Sequence, residues 1–409
     1  MEPSVTTAAE QAVAAPASRL ITVSQVVCDV RRSVIGHEVA SYDPQAAATP
    51  AQSSAQALLD AFTTLGHVAP HRPAYLRIAP DLLRRMDMLP LASDRAVLQL
   101  DCSAPLDPAT VSAFRRYAGL GYLLAARDPA PGTIEALGCV RLARVDIRAL
   151  EPEAAAAVVT GLVERGLTVH ALGVATAEAF ERCAAAGATG FQGPFRAVPV
   201  PEELSSTRAT ALASVSELAG CGEDFDRLET IIARDLALSY RLLRYVNSAF
   251  FSLRREIATV REAMTMLGER MTRRWALVVA LAGATSQRTD GLLFDALLRA
   301  RMLEELAGEI PGLNPDYAFT VGLFSLLDAL VGQPLDELVP QLALPHELEA
   351  ALLGGLPPYG GLLEHTVRFL DADLGPLAGS PGMLARLDAA CRAATVWLET
   401  LRAELTTIA

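Results

Sequence analysis

The chain contains no lysine: all 35 of its basic residues are arginine. That excludes a Schiff-base lysine and a phosphate-gripping P-loop lysine, and the chemistry each performs. Codon usage in a GC-rich genome is the bland source of such a bias. There is no Cys-x-x-Cys among Cys28, Cys102, Cys139, Cys183, Cys221 and Cys391. Neither a disulfide framework nor a zinc site is expected, and the thiols read as small apolar groups in a reducing cytoplasm. The six histidines fall in no metal-binding motif. No charge-free apolar run is long enough to span a bilayer as a helix. A Gly-x-Gly-x-x-Gly turn is missing, which argues against a dinucleotide-binding doubly wound sheet. The opening stretch lacks a basic segment followed by an apolar core, so residues 1–19 read as a disordered tail and not as a secretion signal.

What is present is acidic. The net charge is -12, which disfavours a broad electrostatic hold on nucleic acid polymers or an anionic membrane surface. The pairs Arg254-Arg255 and Arg273-Arg274 read as solvated helix faces. A length of 409 residues suits two or three domains.

Residues 20–197 alternate short apolar runs with helical stretches. The runs are ITVSQVVCDV, SVIGHEVAS, AYLRIA, AVLQLD, GYLLAAR, CVRLARVD, LTVHALGV and TGFQGPF. Eight strands at this rhythm predict parallel βα units closed into an α/β barrel of the TIM (β/α)8 type. Gln45 to Gln56, rich in Ala, Gln and Ser, reads as an exposed insertion. A linker follows at 198–204, and residues 205–409 read as all-α. Within them Leu236, Tyr240, Leu243 and Val246 recur at helical spacing and predict one apolar core face. Thr259 and Glu262 form a capping-box pattern, and Gly268 stops the helix they begin.

The wording RLLRYVNSAFFSLRREIATVREAMTMLG resembles the HDOD domain, a helical module of bacterial signalling proteins. The first half resembles the EAL domain, a barrel that hydrolyses cyclic di-GMP. Gly36-His37-Glu38-Val39-Ala40 stands at the Gly-x-Glu-Ala-Leu signature, Arg144-Val145-Asp146 at Lys-x-Asp, and Phe191-Gln192-Gly193-Pro194-Phe195 at Phe-Gln-Gly-Tyr-Phe. The resemblance implies two divalent metals held by Glu, Asn, Glu and an Asp pair, since hard cations need several oxygen donors. Here Glu38 and Asp128 survive. Arg77, Gln99 and Arg127 replace the Asn, the second Glu and the first Asp, and Arg144 replaces the lysine. The family's phosphate-contacting arginine falls on Tyr42, while Gln25 and Gln192 remain at nucleotide-facing positions. Two unit charges about 4 Å apart interact by roughly 4 kcal/mol near a protein surface, and arginine cannot shed its proton to relieve that.

The expectation drawn from this is a chain without enzymatic activity, cofactor or metal. Arg77 and Arg127 would either pair with Glu38 and Asp128 and plug the pocket, or form a phosphate receptor. HDOD domains are related to HD phosphohydrolases, but Ser325-Leu326 stands where His-Asp would be, and Asp328 reads as a cap or surface residue. Asn247, Ser248, Phe250, Phe251, Arg254 and Arg255 are the candidate interaction surface of the helical half. The sequence-level reading is a cytoplasmic bacterial signal-transduction scaffold that docks other signalling proteins. Cyclic di-GMP binding without hydrolysis is the alternative, and self-association stays open.

Overall fold

The computed structural model describes residues 21–408 apart from 43–49, 61–71, 87–88, 90, 195–205, 223, 249–250, 252–256, 285–289, 343 and 378. The proposed tail and linker, together with Phe250, Arg254 and Arg255, lie outside the described residues. Eight strands form one closed barrel in chain order: β1 (Ile21–Asp29), β2 (Val34–Tyr42), β3 (Ala74–Arg77), β4 (Ala96–Asp101), β5 (Leu123–Arg127), β6 (Leu142–Asp146), β7 (Thr168–Leu172) and β8 (Gly190–Gln192). All eight coincide with the runs read from the sequence.

One strand departs from the all-parallel expectation. β1 pairs antiparallel with both β2 and β8, while β2 through β8 are parallel neighbours. A short turn, not a crossover helix, joins β1 to β2, so the two form a hairpin. The supposed insertion also differs: from Pro50 to Asp60 the chain is helical, with Ser54, Ala57 and Leu58 buried. The Ser54 hydroxyl accepts a hydrogen bond from the Ala79 backbone at 2.9 Å, which ties this helix to the end of β3.

The barrel interior is layered because strand side chains alternate faces. Val27, Tyr75, Val97, Ala125 and Leu142 form an apolar floor. Two residues on from the floor, toward the C-terminal ends of the parallel strands, stand Arg77, Gln99, Arg127 and Arg144. Asp101 and Asp146 follow at the rim. The inward face of β1 runs the other way, from Val27 through Gln25 to Val23 and Ile21. Those last two are 3% and 2% exposed and belong to the core of the helical half. Helices Tyr359–Leu370 and Pro381–Ile408 pack on β1. One strand is therefore shared between the two halves.

The helical half runs from Ser206 to Ile408. Asp224 and Asp235 cap the helices Phe225–Arg234 and Leu236–Val246, each side chain accepting first-turn backbone N–H groups. Thr259 caps Val260–Leu267 as its pattern predicts, and Gly268 (φ 79°) ends it. Arg273 and Arg274 are not a solvated pair. Arg274 donates to both Glu304 and Asp316, and Arg270 joins the same two carboxylates. Helix crossing brings these charges together, a proximity that linear spacing does not reveal. No helix among the described residues is long and apolar enough to cross a membrane.

Candidate functional site: the barrel mouth

The polar layer is tied together by arginine. Arg144 is fully buried and donates to Glu38 at 3.2 Å, to Gln99 at 2.6 Å and to Gln192 at 2.5 Å. Its guanidinium lies 4.6 Å from the centre of the Tyr75 ring, a cation–π contact with the floor. Arg127 reaches Glu38 at 3.4 Å, Asp146 at 3.4 Å and Asp128 at 3.5 Å. Gln99 donates weakly to Glu38, and Gln192 donates onward to Gln25. Seven of the eight barrel residues singled out in the sequence therefore form one connected set. Arg77 is the exception.

Arg77 stands at the exposed end of β3 and forms no ion pair with any described residue. Its pKa is lowered from the ordinary arginine value, first by lost hydration and then by repulsion from Arg127, against the pull of Glu38, Asp101 and Asp128. The expectation that Arg77 and Arg127 together plug the pocket is thus half met. Arg127 does so, and the partner that completes the plug is Arg144, not Arg77. Arg144 and Arg77 both stand two residues on from the floor, but Glu38, Gln99, Gln192 and the Tyr75 ring enclose Arg144, whereas Arg77 is exposed.

Electrostatics keep Glu38 ionised. Burial pushes its pKa up, but the guanidiniums of Arg144, Arg127 and Arg77 pull it below the usual carboxylate range. Beneath it His170 is buried against Tyr75, and burial with Arg144 nearby lowers its pKa to about 3. It is neutral at physiological pH. Its ring fills the space that a side chain at Gly190 would need, since a Cβ there would lie 2.3 Å from His170 Cδ2. Asp128 has left-handed backbone (φ 47°), and its carboxylate accepts the Asp146 N–H at 2.7 Å. That geometry is uncommon for a residue other than glycine and recurs at functional sites.

The residues do not fit the two-metal group that the resemblance implies. Both Glu38 oxygens are engaged by arginine, Asp128 is tied to the backbone, and Gln99 is spent on Arg144 and Glu38. Among the described residues no group of three or more His, Cys, Asp or Glu side chains is placed to hold a metal ion.

In the helical half, Asn247 is turned inward. Its amide donates to the Ile257 carbonyl and its oxygen accepts the Ile257 N–H, both at 2.8 Å. This pairing ties Asn247 to Ile257, ten residues on. Phe251 packs edge-on to Tyr245, which stacks on Trp275. Ser248 is half-buried. The stripe read as core is half met: Val246 is buried and Leu243 packs against the core, but the other two residues are not core. Leu236 is 85% and Tyr240 62% exposed, and the buried face is Leu238, Leu242, Tyr245 and Val246. The segment LALSYRLLRYV is apolar on two faces, and periodicity alone does not say which one meets the protein. Asp328 is the second residue of the helix Leu327–Val331, half-buried, and accepts the Ala329 N–H at 2.7 Å; the cap position is Leu326, so Asp328 is neither the cap nor a surface residue.

The fold and the site thus define a closed eight-stranded barrel with an arginine-filled mouth, followed by a helical half. The HDOD domain family matches residues 208–335, and that half contains an HDOD domain. Over 366 residues the chain is 28% identical to the cyclic di-GMP phosphodiesterase CdgJ of Vibrio cholerae, covering 85% of this chain and 84% of that protein. It is 25% identical over 281 residues to the uncharacterized protein YuxH of Bacillus subtilis, covering 66% and 69% respectively. Among solved structures it is similar to the manganese and cyclic di-GMP complex of Klebsiella pneumoniae BlrP1, with a TM-score of 0.35 and 17% identity over 44% of this chain and 55% of that one. The EAL domain of Mycobacterium smegmatis DcpA gives a TM-score of 0.36 and 16% identity over 43% and 90%. The name of the Vibrio relative overturns the expectation of a chain without enzymatic activity. A protein that aligns over most of its length is named a phosphodiesterase, so lost ligand types in one sequence do not by themselves assign a non-enzyme.

Proposed function

We propose that this chain is a cytoplasmic signalling scaffold of the cyclic di-GMP system. Its barrel mouth recognises the dinucleotide, and its helical half docks partner proteins. The observation that carries the reading is Arg77. It is a permanent cation at the rim, reaching solvent and held in no ion pair among the described residues, beside a set of arginines already committed to carboxylates. A guanidinium in that state suits bidentate contact with a phosphodiester. The cyclic di-GMP named in the Vibrio relative supports the choice of ligand. Six free thiols support a reducing compartment.

The exposed stripe Leu236 and Tyr240, with Arg244 5.8 Å over the Tyr240 ring, supports a docking face on the helical half. Aromatic and arginine side chains of this kind anchor protein interfaces.

Calorimetric titration of cyclic di-GMP into the full chain tests the proposal. Arg77→Ala should weaken binding by about 10- to 100-fold, the loss of one charge-assisted hydrogen-bonding group. Release of linear dinucleotide is followed in the same samples, so that binding and turnover are read separately. No heat at high ligand concentration, or an Arg77→Ala chain that binds unchanged, would remove the reading.

A further inference from the structure

A cavity of about 90 Å³ lies where the barrel meets the helical half. Its barrel wall is Ser24, Gln25, Gln192 and Gly193. Its helical wall includes Asp295 and Arg299, from the helix Asp290–Gly308, and Asp371, just past the helix Tyr359–Leu370. Leu326, of the pair standing where HD enzymes carry His-Asp, lines the same space. The amides of Gln25 and Gln192 face two ways. Toward the barrel they continue the chain Glu38–Arg144–Gln192–Gln25. Toward the helices they border this cavity.

The turn that supplies Asp371 borders this cavity. Ala372 is held at φ 56°, and the next residue, Asp373, acts electrostatically on Arg148 at the rim above β6. Asp373 is paired with Arg368 at 2.7 Å. The Asp371 backbone N–H donates to the Val367 carbonyl at 2.9 Å, but its carboxylate makes no hydrogen bond or ion pair with any described residue. Burial raises its pKa first, with Asp295 and Asp373 adding to this and Arg299 opposing it. Two acidic groups, Asp295 and Asp371, thus face one cation, Arg299, on the helical side of a cavity whose barrel side belongs to the arginine-bound site.

We infer that the helical half opposes anion binding at the barrel mouth through Asp371, so that dinucleotide binding and close docking of the Asp371–Asp373 turn are negatively coupled. This rests on the reading of the mouth as a dinucleotide site. A dianionic ligand beside Gln25 and Gln192 meets the Asp371 carboxylate across the cavity, and the repulsion is relieved when the turn moves away. Coupling is reciprocal: whatever draws the turn from the barrel raises the affinity of the mouth. A partner bound to the helical half could thus set the dinucleotide sensitivity of the barrel without touching it.

The test is titration of cyclic di-GMP into the full chain carrying Asp371→Asn or Asp371→Glu. Asp371→Asn should bind roughly three- to tenfold tighter at low salt, the effect of one unit charge on a doubly charged ligand across about 10 Å. The gain should shrink as salt is raised. Asp371→Glu, which keeps the charge, should bind like the parent. Hydrogen exchange of the parent should quicken at residues 371–373 on ligand addition. Equal affinity of Asp371→Asn and parent, equal tightening by Asp371→Glu, or slower exchange in the turn would overturn the inference and leave the dinucleotide site standing. A parent that binds no dinucleotide would overturn both.

Discussion

Arg144→Met is expected to destabilise the barrel by about 3–5 kcal/mol, because it removes the closer partner of a buried carboxylate and leaves Glu38 with only the longer contact from Arg127. The side chain is 0% exposed and meets Glu38, Gln99 and Gln192 at once. Differential scanning calorimetry of the full chain reads this as a fall of the barrel transition by on the order of 10 °C. Adding Glu38→Gln to the variant should recover a large part of the loss, since methionine and a neutral amide leave no stranded charge. A single variant as stable as the parent, or a double variant no better than the single, would show that the pair is not what closes the barrel interior. The same contacts set an acid limit. The Glu38 pKa is depressed in the folded chain, so its contribution is complete above the ordinary glutamate pKa and is lost as pH falls through the lowered value. Arg144→Met with Glu38→Gln should flatten that part of the acid unfolding curve.

Gly322→Val should cost about 3 kcal/mol or more and disorder the wall of the interdomain cavity. Gly322 lies on the helix Pro315–Phe324 where it crosses Asp290–Gly308. A Cβ there would stand 2.5 Å from Ala300 Cα, 2.6 Å from Ala300 N and 2.7 Å from the Arg299 carbonyl carbon. All three are backbone atoms and cannot rotate aside, so the helices must part. Gly361→Ala, on a helix position with nothing within 4 Å, is the control and should leave stability within about 1 kcal/mol of the parent. Thermal unfolding compares the two. A tolerated Gly322→Val would mean that this crossing is looser than its distances imply.

Much of the architecture could be read before any coordinates. The eight strands are short apolar runs between turns, and a period of two is a strong signal when each run is fenced by glycine or a helix. The direction of β1 could not be read this way. Val23, Gln25 and Val27 share a face whichever way the strand runs, and only its pairing with β2 and β8 shows the reversal. In the helix Leu236–Val246 the reading held at Leu243 and Val246 and missed at Leu236 and Tyr240, because the segment carries two apolar faces. At the mouth, residue types pointed to the right neighbourhood but not to the division of labour. Nothing in the spacing of Arg77, Arg127 and Arg144 says which is sealed in and which is left at the rim. That is decided by what surrounds each: Glu38, Gln99, Gln192 and Tyr75 close in on Arg144, whereas Arg77 keeps an open side. The capping residues were legible because their partners lie within one turn. The cavity at Asp371 was not, because its walls come from opposite ends of the chain.

β1 precedes every other described element in synthesis, yet the contacts that cover it arrive late. Its barrel partner β8 is the last strand, and the helices that enclose Ile21 and Val23 are among the final ones made. A nascent chain must therefore carry an open strand edge until Gly190–Gln192 is made, and two bare aliphatic side chains until translation is nearly finished. Holding chaperones should engage this N-terminal hairpin, and a premature stop before Pro381 should yield aggregates in place of a shortened, working barrel.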